Sequence, residues 1–345
     1  MKGNEVIGEA AIIAGCRHYF GYPITPQNEI PAYMAARMPE VGGVFVQAES
    51  EVAAINMVLG AAAAGARVMT SSSSPGISLK QEGISYLSAC ELPAVIVNMM
   101  RGGPGLGNIA GAQGDYFQAT KGGGHGDYRL IVLAPATVQE MADYTVQAFD
   151  LADKYRTVVM ILGDGHIGQM SEPLVLPKPT GKTFDKSAWS LTGAKGRDQH
   201  IVRSLLLYPE DELEKLNIRL QEKYKLITKN EILYKTYMTD DADYLLIGFG
   251  MCSRLARGAC DVLRKKGLKA GMFRPVTLWP FPSAELAKAA AGKKKILVIE
   301  MNAGQMIEDV NLAIGCSIPV DFVGRMGGMV PELETIVERV ETYVK

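Results

Sequence analysis

Short apolar runs alternate with helix-like segments through the first half of the 345-residue chain. That alternation restricts the fold to a parallel sheet covered by helices on both faces. Strands are expected at 19–22, 43–47, 67–71, 94–99, 131–133 and 157–162. Thr25 before Pro26 has the form of an N-cap followed by proline at the first helical position. Thr137-Val138-Gln139-Glu140 has the form of a capping box opening a long helix towards Tyr155.

The pattern changes after Ser171. Pro173, Pro177, Pro179 and Gly181 read as an extended linker, followed by a charged helix over 209–237. Glu210, Glu212 and Glu214 crowd its start and Lys223, Lys225 and Lys229 come later, an order that suits the helix macrodipole. A second α/β unit follows, with a strand at 244–248, a helix at 253–266, a strand at 295–300 and a last helix from Pro331. The expected organisation is a parallel-sheet domain over 1–172, a linker with a charged helix over 173–240, and a smaller α/β domain over 241–345.

The charge balance is close to neutral, with 36 basic and 37 acidic residues. It gives no electrostatic footprint for nucleic acid or an anionic membrane. The most apolar stretch, 53–66, is interrupted by Asn56 and Gly60 and ends before Arg67, so it reads as a buried helix rather than a membrane span. Met1 to Glu5 lead into a polar-interrupted helix and not a secretory segment, and a cytoplasmic protein is expected. None of the five cysteines forms a C-x-x-C pair, which suggests reduced, mostly buried thiols and no cluster or zinc ligation by this chain.

The chemistry-bearing residues gather at strand-to-helix junctions. Gly21-Tyr22-Pro23-Ile24-Thr25-Pro26 follows the first strand, and Glu49 and Glu51 follow the second. In a parallel sheet such junctions lie at the carboxyl ends of the strands, where ligands bind. A carboxylate between apolar segments there requires a partner. Arg101 opens a long glycine-dense loop that runs to Gly107 and on through Lys121 to Gly126. Glycines let backbone N–H groups approach a ligand and Arg101 offers a rigid fork for a carboxylate; the competing reading is a mobile loop with a surface arginine. The hydroxyl-rich stretch Thr70 to Gly76 can cap the next helix or contact a polar ligand, and capping alone is the expected role. His125 is a candidate proton shuttle if its loop folds over a site.

Two glycine motifs read as turns. Gly248-Phe249-Gly250 ends in Ser253 and lacks the acidic residue of a dinucleotide fingerprint. Gly163-Asp164-Gly165 has the form of a magnesium-diphosphate anchor, but no asparagine occurs between Asn108 and Asn217 to complete it.

Five separated segments, spanning essentially the whole chain, resemble the α (pyrimidine-binding) subunit of 2-oxoacid:ferredoxin oxidoreductases. They are Tyr22-Pro23-Ile24-Thr25-Pro26, Ser50-Glu51-Val52-Ala53-Ala54, Arg101-Gly102-Gly103-Pro104-Gly105, Leu278-Trp279-Pro280-Phe281-Pro282 and Glu300 to Met306. The Lys121–Gly126 loop is most similar to the branched-chain, 2-oxoisovalerate subgroup. The resemblance implies a thiamine-enzyme pyrimidine-type domain followed by a transketolase C-terminal-like domain. It implies thiamine-dependent oxidative decarboxylation of a 2-oxoacid to acyl-CoA and CO2, with electrons passed to ferredoxin.

By the same resemblance Glu51 meets the pyrimidine ring of thiamine diphosphate, Pro23 lends backbone beside it, and Thr25 and Arg101 hold the substrate. Glu49 falls outside the Ser-Glu-x-x-Ala frame. Mg2+ and a 4Fe–4S cluster are expected in partner subunits, a β subunit above all, with γ and ferredoxin-like subunits beside it and coenzyme A as co-substrate. The alternatives left open are a 2-oxoglutarate-specific homologue, in which Gln113 or Asp115 serves a second carboxylate, and a non-catalytic dinucleotide-binding or scaffolding subunit.

Overall fold

The computed structural model describes residues 1–202 and 206–344. Its strands are β1 (His18–Gly21), β2 (Val44–Gln47), β3 (Val68–Ser72), β4 (Ala94–Met100), β5 (Ile131–Leu133), β6 (Val158–Asp164), β7 (Tyr234–Tyr237), β8 (Tyr244–Ile247), β9 (Ala270–Pro275), β10 (Thr277–Trp279), β11 (Lys295–Glu300) and β12 (Val320–Gly324). Its α-helices are α1 (Gly3–Ile13), α2 (Glu29–Arg37), α3 (Glu51–Ala63), α4 (Ser74–Ala89), α5 (Tyr116–Thr120), α6 (Val138–Tyr155), α7 (Gly165–Gln169), α8 (Glu210–Asn230), α9 (Gly250–Lys265), α10 (Ser283–Ala290), α11 (Met306–Ile314) and α12 (Leu333–Glu341).

The first sheet has seven strands in the order β10-β5-β6-β4-β3-β1-β2. Its pairings are parallel except for β10, which runs antiparallel to β5. β3, β4, β5 and β6 are buried along their whole lengths, as apolar strands covered on both faces must be. From β1 the chain moves to β2 on one side, whereas from β3 it moves to β4 on the other. The loops leaving β1 and β3 therefore part, and a crevice opens at the carboxyl ends of those two strands.

The second sheet runs β12-β11-β8-β9-β7, with β7 antiparallel to β9. Its own reversal lies between β8 and β11, and residues of the first sheet's connections fill it. Fully buried Gln113 donates to the Phe249 carbonyl at 2.9 Å and accepts from Met301 N–H at 3.1 Å, while Asn302 donates to the Gln113 carbonyl at 2.8 Å. Asp164, at the end of β6, accepts from Met251 N–H at 2.8 Å in the first turn of α9 and from Ile167 N–H at 3.1 Å in α7. Gly250 has φ +51°, and a Cβ there would lie 2.5 Å from Asp164 Oδ2.

The two glycine motifs of the sequence thus meet each other. Asp164 is the anion that the amino end of α9 attracts, and Gly250 lets it approach. Glu300 plays the same part for α11, accepting from the backbone N–H groups of Gln305, Met306 and Ile307. The crevice that a dinucleotide would use is filled by the chain itself.

Several local expectations need correction. The helix after β1 begins at Glu29, not at Thr25, because Gln27 N–H closes a turn onto the Ile24 carbonyl at 3.1 Å. Thr137 caps α6 through Glu140 N–H, but the Glu140 carboxylate turns to Ala136 N–H, Arg274 and Lys235 instead of completing the box. The charged helix stops at Asn230, and Tyr234–Tyr237 is an edge strand whose Tyr234 ring stacks on Phe273. That strand lies in the linker segment of 173–240 yet belongs to the second sheet, and β10 from beyond residue 241 completes the first.

Replacing Asp164 by alanine strips an acceptor from α7 and α9 at once. Loss of one cap typically costs about 1 kcal/mol, so Asp164→Ala is expected to lower the unfolding free energy by roughly 2 kcal/mol in denaturant titration. An unchanged midpoint would show that the two sheets dock without this contact.

Candidate active site

Glu51 is the first residue of α3 and lies at the reversal point of the first sheet, with 6% of its surface exposed. Ser50 precedes it as the N-cap, accepting from Ala53 N–H at 3.1 Å, and this cap fixes the direction in which Glu51 leaves the helix. The carboxylate has no hydrogen-bond donor among the described residues. Its nearest boundary is Gly76 in the first turn of α4, where a Cβ would stand 2.7 Å from Glu51 Oε1 and 2.1 Å from Ser72 Oγ. Ser72 and Ser73 have buried hydroxyls without partners among the described residues. Glu49, two residues earlier, points into solvent.

The remaining hydroxyls of this stretch are committed to the protein and extend beyond capping. Ser71 bridges Tyr19 and Gln27. Ser74 donates to Asp115 at 2.6 Å, and Asn98 donates to the same carboxylate at 2.9 Å. Burial pushes the Asp115 carboxyl up, against these two bonds. Ser73 holds the N-cap position of α4 but makes no side-chain cap bond.

Arg101 follows β4 and is 6% exposed. Its guanidinium donates to the carbonyls of Thr25 at 2.9 Å and Leu106 at 2.8 Å, and its buried Nε has no partner. Among the described residues no carboxylate pairs with it. A buried cation satisfied only by carbonyls is a candidate position for an anion. Gly107 lets its loop close tightly, since a Cβ there would sit 1.7 Å from the Gly102 carbonyl oxygen. Asn108 fastens the loop to the second domain through the Gly327 carbonyl at 2.6 Å.

The loop carrying Pro23 and Thr25 is braced from several sides. Asn4 and Gln169 both donate to the Pro26 carbonyl, at 2.7 Å and 2.9 Å, and buried Gln27 reaches the Tyr22 carbonyl. Pro23 is exposed and Thr25 half-buried, with its hydroxyl taking a bond from Asn28 at 3.2 Å.

Glu51 follows β2 and Arg101 follows β4, both at carboxyl ends of strands of the first sheet, and Arg101 holds the Thr25 carbonyl directly. His125 does not join them: it is exposed, in a loop that Gly124 anchors to Tyr128 at 3.0 Å. Gln113 and Asp115 are consumed by the interdomain contact and by Ser74 and Asn98. A cavity of about 550 Å³ elsewhere, lined by Gly15, Gly65 and Arg67, lies at the other end of the strands. Arg67 there is already paired with Asp150 and Asp153. The sequence singles out Ser72 and Gly76 within a stretch expected to cap, and gives no signal for Lys80.

The candidate site therefore combines a carboxylate without a hydrogen-bond donor, two hydroxyls without partners and an arginine without a carboxylate, all among the described residues. The sequence model described as pyruvate flavodoxin/ferredoxin oxidoreductase, thiamine diphosphate-binding, matches residues 9–214, and pyruvate:ferredoxin oxidoreductase core domain II matches 242–336. The ketoisovalerate oxidoreductase subunit VorB of Methanothermobacter thermautotrophicus is 52% identical over 99% of this chain and 96% of its own length. The 2-oxoglutarate synthase subunit KorA of Archaeoglobus fulgidus is 38% identical over 99% and 98%.

Among solved structures, 2-oxoglutarate:ferredoxin oxidoreductase from Magnetococcus marinus, with 2-oxoglutarate, coenzyme A and succinyl-CoA bound, superposes with a TM-score of 0.86 at 30% identity. The match covers all of this chain and 65% of that one. A split-gene transketolase shares the fold at a TM-score of 0.58 and 12% identity. The chain belongs to the 2-oxoacid:ferredoxin oxidoreductase family of thiamine diphosphate-binding enzymes.

Gly76→Ala drives a methyl group into Ser72 and Glu51. It is expected to weaken thiamine diphosphate binding to the assembled enzyme at least tenfold, about 1.4 kcal/mol, with the far-ultraviolet circular dichroism unchanged. Calorimetric titration measures it, and binding at native strength would show that the cofactor does not depend on this corner.

Proposed function

We propose that this chain is the α subunit of a 2-oxoacid:ferredoxin oxidoreductase acting on the branched-chain substrate 2-oxoisovalerate. The observation that carries the reading is the Glu51 carboxylate, buried and without a donor, at the switch point that also receives Arg101 and Thr25. The greater identity to VorB than to KorA supports the branched-chain substrate. The engagement of Gln113 and Asp115 elsewhere removes the particular support for a 2-oxoglutarate preference.

When bound, thiamine diphosphate supplies a nucleophilic carbon for the 2-oxoacid carbonyl and a sink for the electrons left when CO2 departs. Glu51 would accept a hydrogen bond from the pyrimidine N1′ and hold or release the proton there. Pro23 would lend backbone beside the aminopyrimidine. Arg101 would exchange its carbonyl partners for the substrate carboxylate, with its free Nε as an additional donor, and the Thr25 hydroxyl would orient the substrate carbonyl.

The diphosphate, Mg2+ and a 4Fe–4S cluster would be held by a β subunit. Two findings support that division: Asp164 is spent on two backbone N–H groups, and no group of three or more His, Cys, Asp and Glu among the described residues could hold a metal. Val52 on α3 and Leu79 on α4 are exposed beside the site, an apolar surface suited to that partner. A γ subunit and a ferredoxin-like subunit would complete the assembly, coenzyme A would take the acyl group, and ferredoxin the electrons. No helix among the described residues is long and apolar enough to cross a membrane. Buried Cys16, Cys252 and Cys260 form no disulfide, which suits the reducing cytoplasm.

Glu51→Gln in the assembled complex is expected to lower 2-oxoacid-dependent dye reduction by roughly 100-fold or more, with subunit assembly intact. Turnover near the native rate would refute the role given to Glu51. Arg101→Gln is expected to raise KM for the 2-oxoacid at least tenfold, the loss of about 1.5–3 kcal/mol typical of a charged hydrogen bond. Its KM for coenzyme A is expected to stay level in steady-state assays, and an equal rise in both would contradict a substrate-specific arginine.

A further inference from the structure

Lys80 is fully buried, yet it has no carboxylate within ion-pair distance among the described residues. Its Nζ donates to the Thr70 hydroxyl at 2.7 Å and to the Ser71 carbonyl at 3.1 Å, two neutral acceptors on β3. Burying a cation on such terms costs stability, and apolar residues of similar volume fit such places at less cost. Lys80 sits one helical turn beyond Gly76 on the same face of α4, and helical side chains lean towards the amino end. It therefore runs back towards the turn whose missing Cβ makes room for the Glu51 carboxylate.

We propose that Lys80 is the buried counter-charge of Glu51, a positioning residue that stabilises the ionised carboxylate at the pyrimidine end of the cofactor site. The catalytic part of this inference rests on the function proposed above; the charge pairing itself does not.

The surroundings leave few competitors. Of the groups that act on Lys80, α3 contributes Glu51, β3 the Thr70 hydroxyl and the Ser71 carbonyl, and β1 the Tyr19 phenol behind Ser71. Burial pushes that phenol well up, so it stays neutral. Burial pushes the Lys80 ammonium down to about 7, and the charge of Glu51 opposes that fall. The folded value lies below the ordinary lysine value of about 10.4. The unfolded chain therefore binds the extra proton between pH about 7 and about 10, and stability rises with pH across that window.

The test uses the assembled complex freed of cofactor, with thermal midpoints measured from pH 5 to 10 for the native protein, Lys80→Met and Glu51→Gln. The rise between pH about 7 and 10 should shrink in Lys80→Met, with Lys223, which burial also holds below the ordinary lysine value, keeping a remainder. In Glu51→Gln it should begin at lower pH by about one unit, because the ammonium has lost the anion that opposes its fall. A rise that stays in place in Glu51→Gln would overturn the pairing, whatever happens to turnover. Lys80→Gln, which keeps a donor for Thr70 and Ser71 without the charge, serves if Lys80→Met does not assemble.

In the loaded enzyme, Lys80→Met or Lys80→Gln should move the acid limb of the turnover profile to higher pH by about one unit. A residue with a merely structural role would lower the midpoint and leave that limb in place, and this result too would overturn the proposal. Loss of turnover in Glu51→Gln tests the thiamine reading separately, so the two can fail independently.

Discussion

The site depends on one close contact, the Glu51 carboxylate set at the amino end of α3 against the glycine that opens α4. Glu51 is 6% exposed and its carboxylate has no hydrogen-bond donor among the described residues, which makes it a candidate ligand position. Everything nearby serves its placement. Ser50 sets the helix entry, Gly76 leaves the space, and the reversal of strand order between β1 and β3 makes a crevice for the missing partner. Arg101 repeats the theme with opposite sign, a buried cation held by two carbonyls with no carboxylate paired to it among the described residues.

The second domain shows the contrasting case, in which the protein supplies its own ligand. Asp164 occupies the amino end of α9, Glu300 that of α11, and Gln113 bonds both strands flanking the second crevice. Each would be a candidate binding feature if read alone. Together they neutralise one another and fix the two sheets in one orientation. That orientation matters to the site, because Asn108 ties the Arg101 loop to Gly327 of the second domain.

The alternating layout was legible because parallel strands buried on both faces leave apolar runs that composition cannot hide, and β4, β5, β6 and β11 fall within two residues of expectation. The capping and edge features were not. Thr25 and Pro26 have the look of a helix start but are claimed by a turn that Asn4, Gln27 and Gln169 brace from distant positions. Tyr234–Tyr237 follows a charged helical run without a break, and only its antiparallel pairing with β9 makes it a strand. Glu51 and Arg101 stood out in sequence as charges beside apolar or glycine-rich segments. Lys80 did not, because a lysine at a helical position reads as solvated until its neighbours are known. Gln113 and Asp164 were hidden for the same reason, their partners lying 136 and 87 residues away.

The most direct measurement is a structure of the assembled enzyme with thiamine diphosphate bound. The Glu51 carboxylate should lie within hydrogen-bond distance of the pyrimidine N1′, with the diphosphate and its metal held by another subunit. A cofactor whose diphosphate rests on this chain, or whose pyrimidine meets a different carboxylate, would contradict the account.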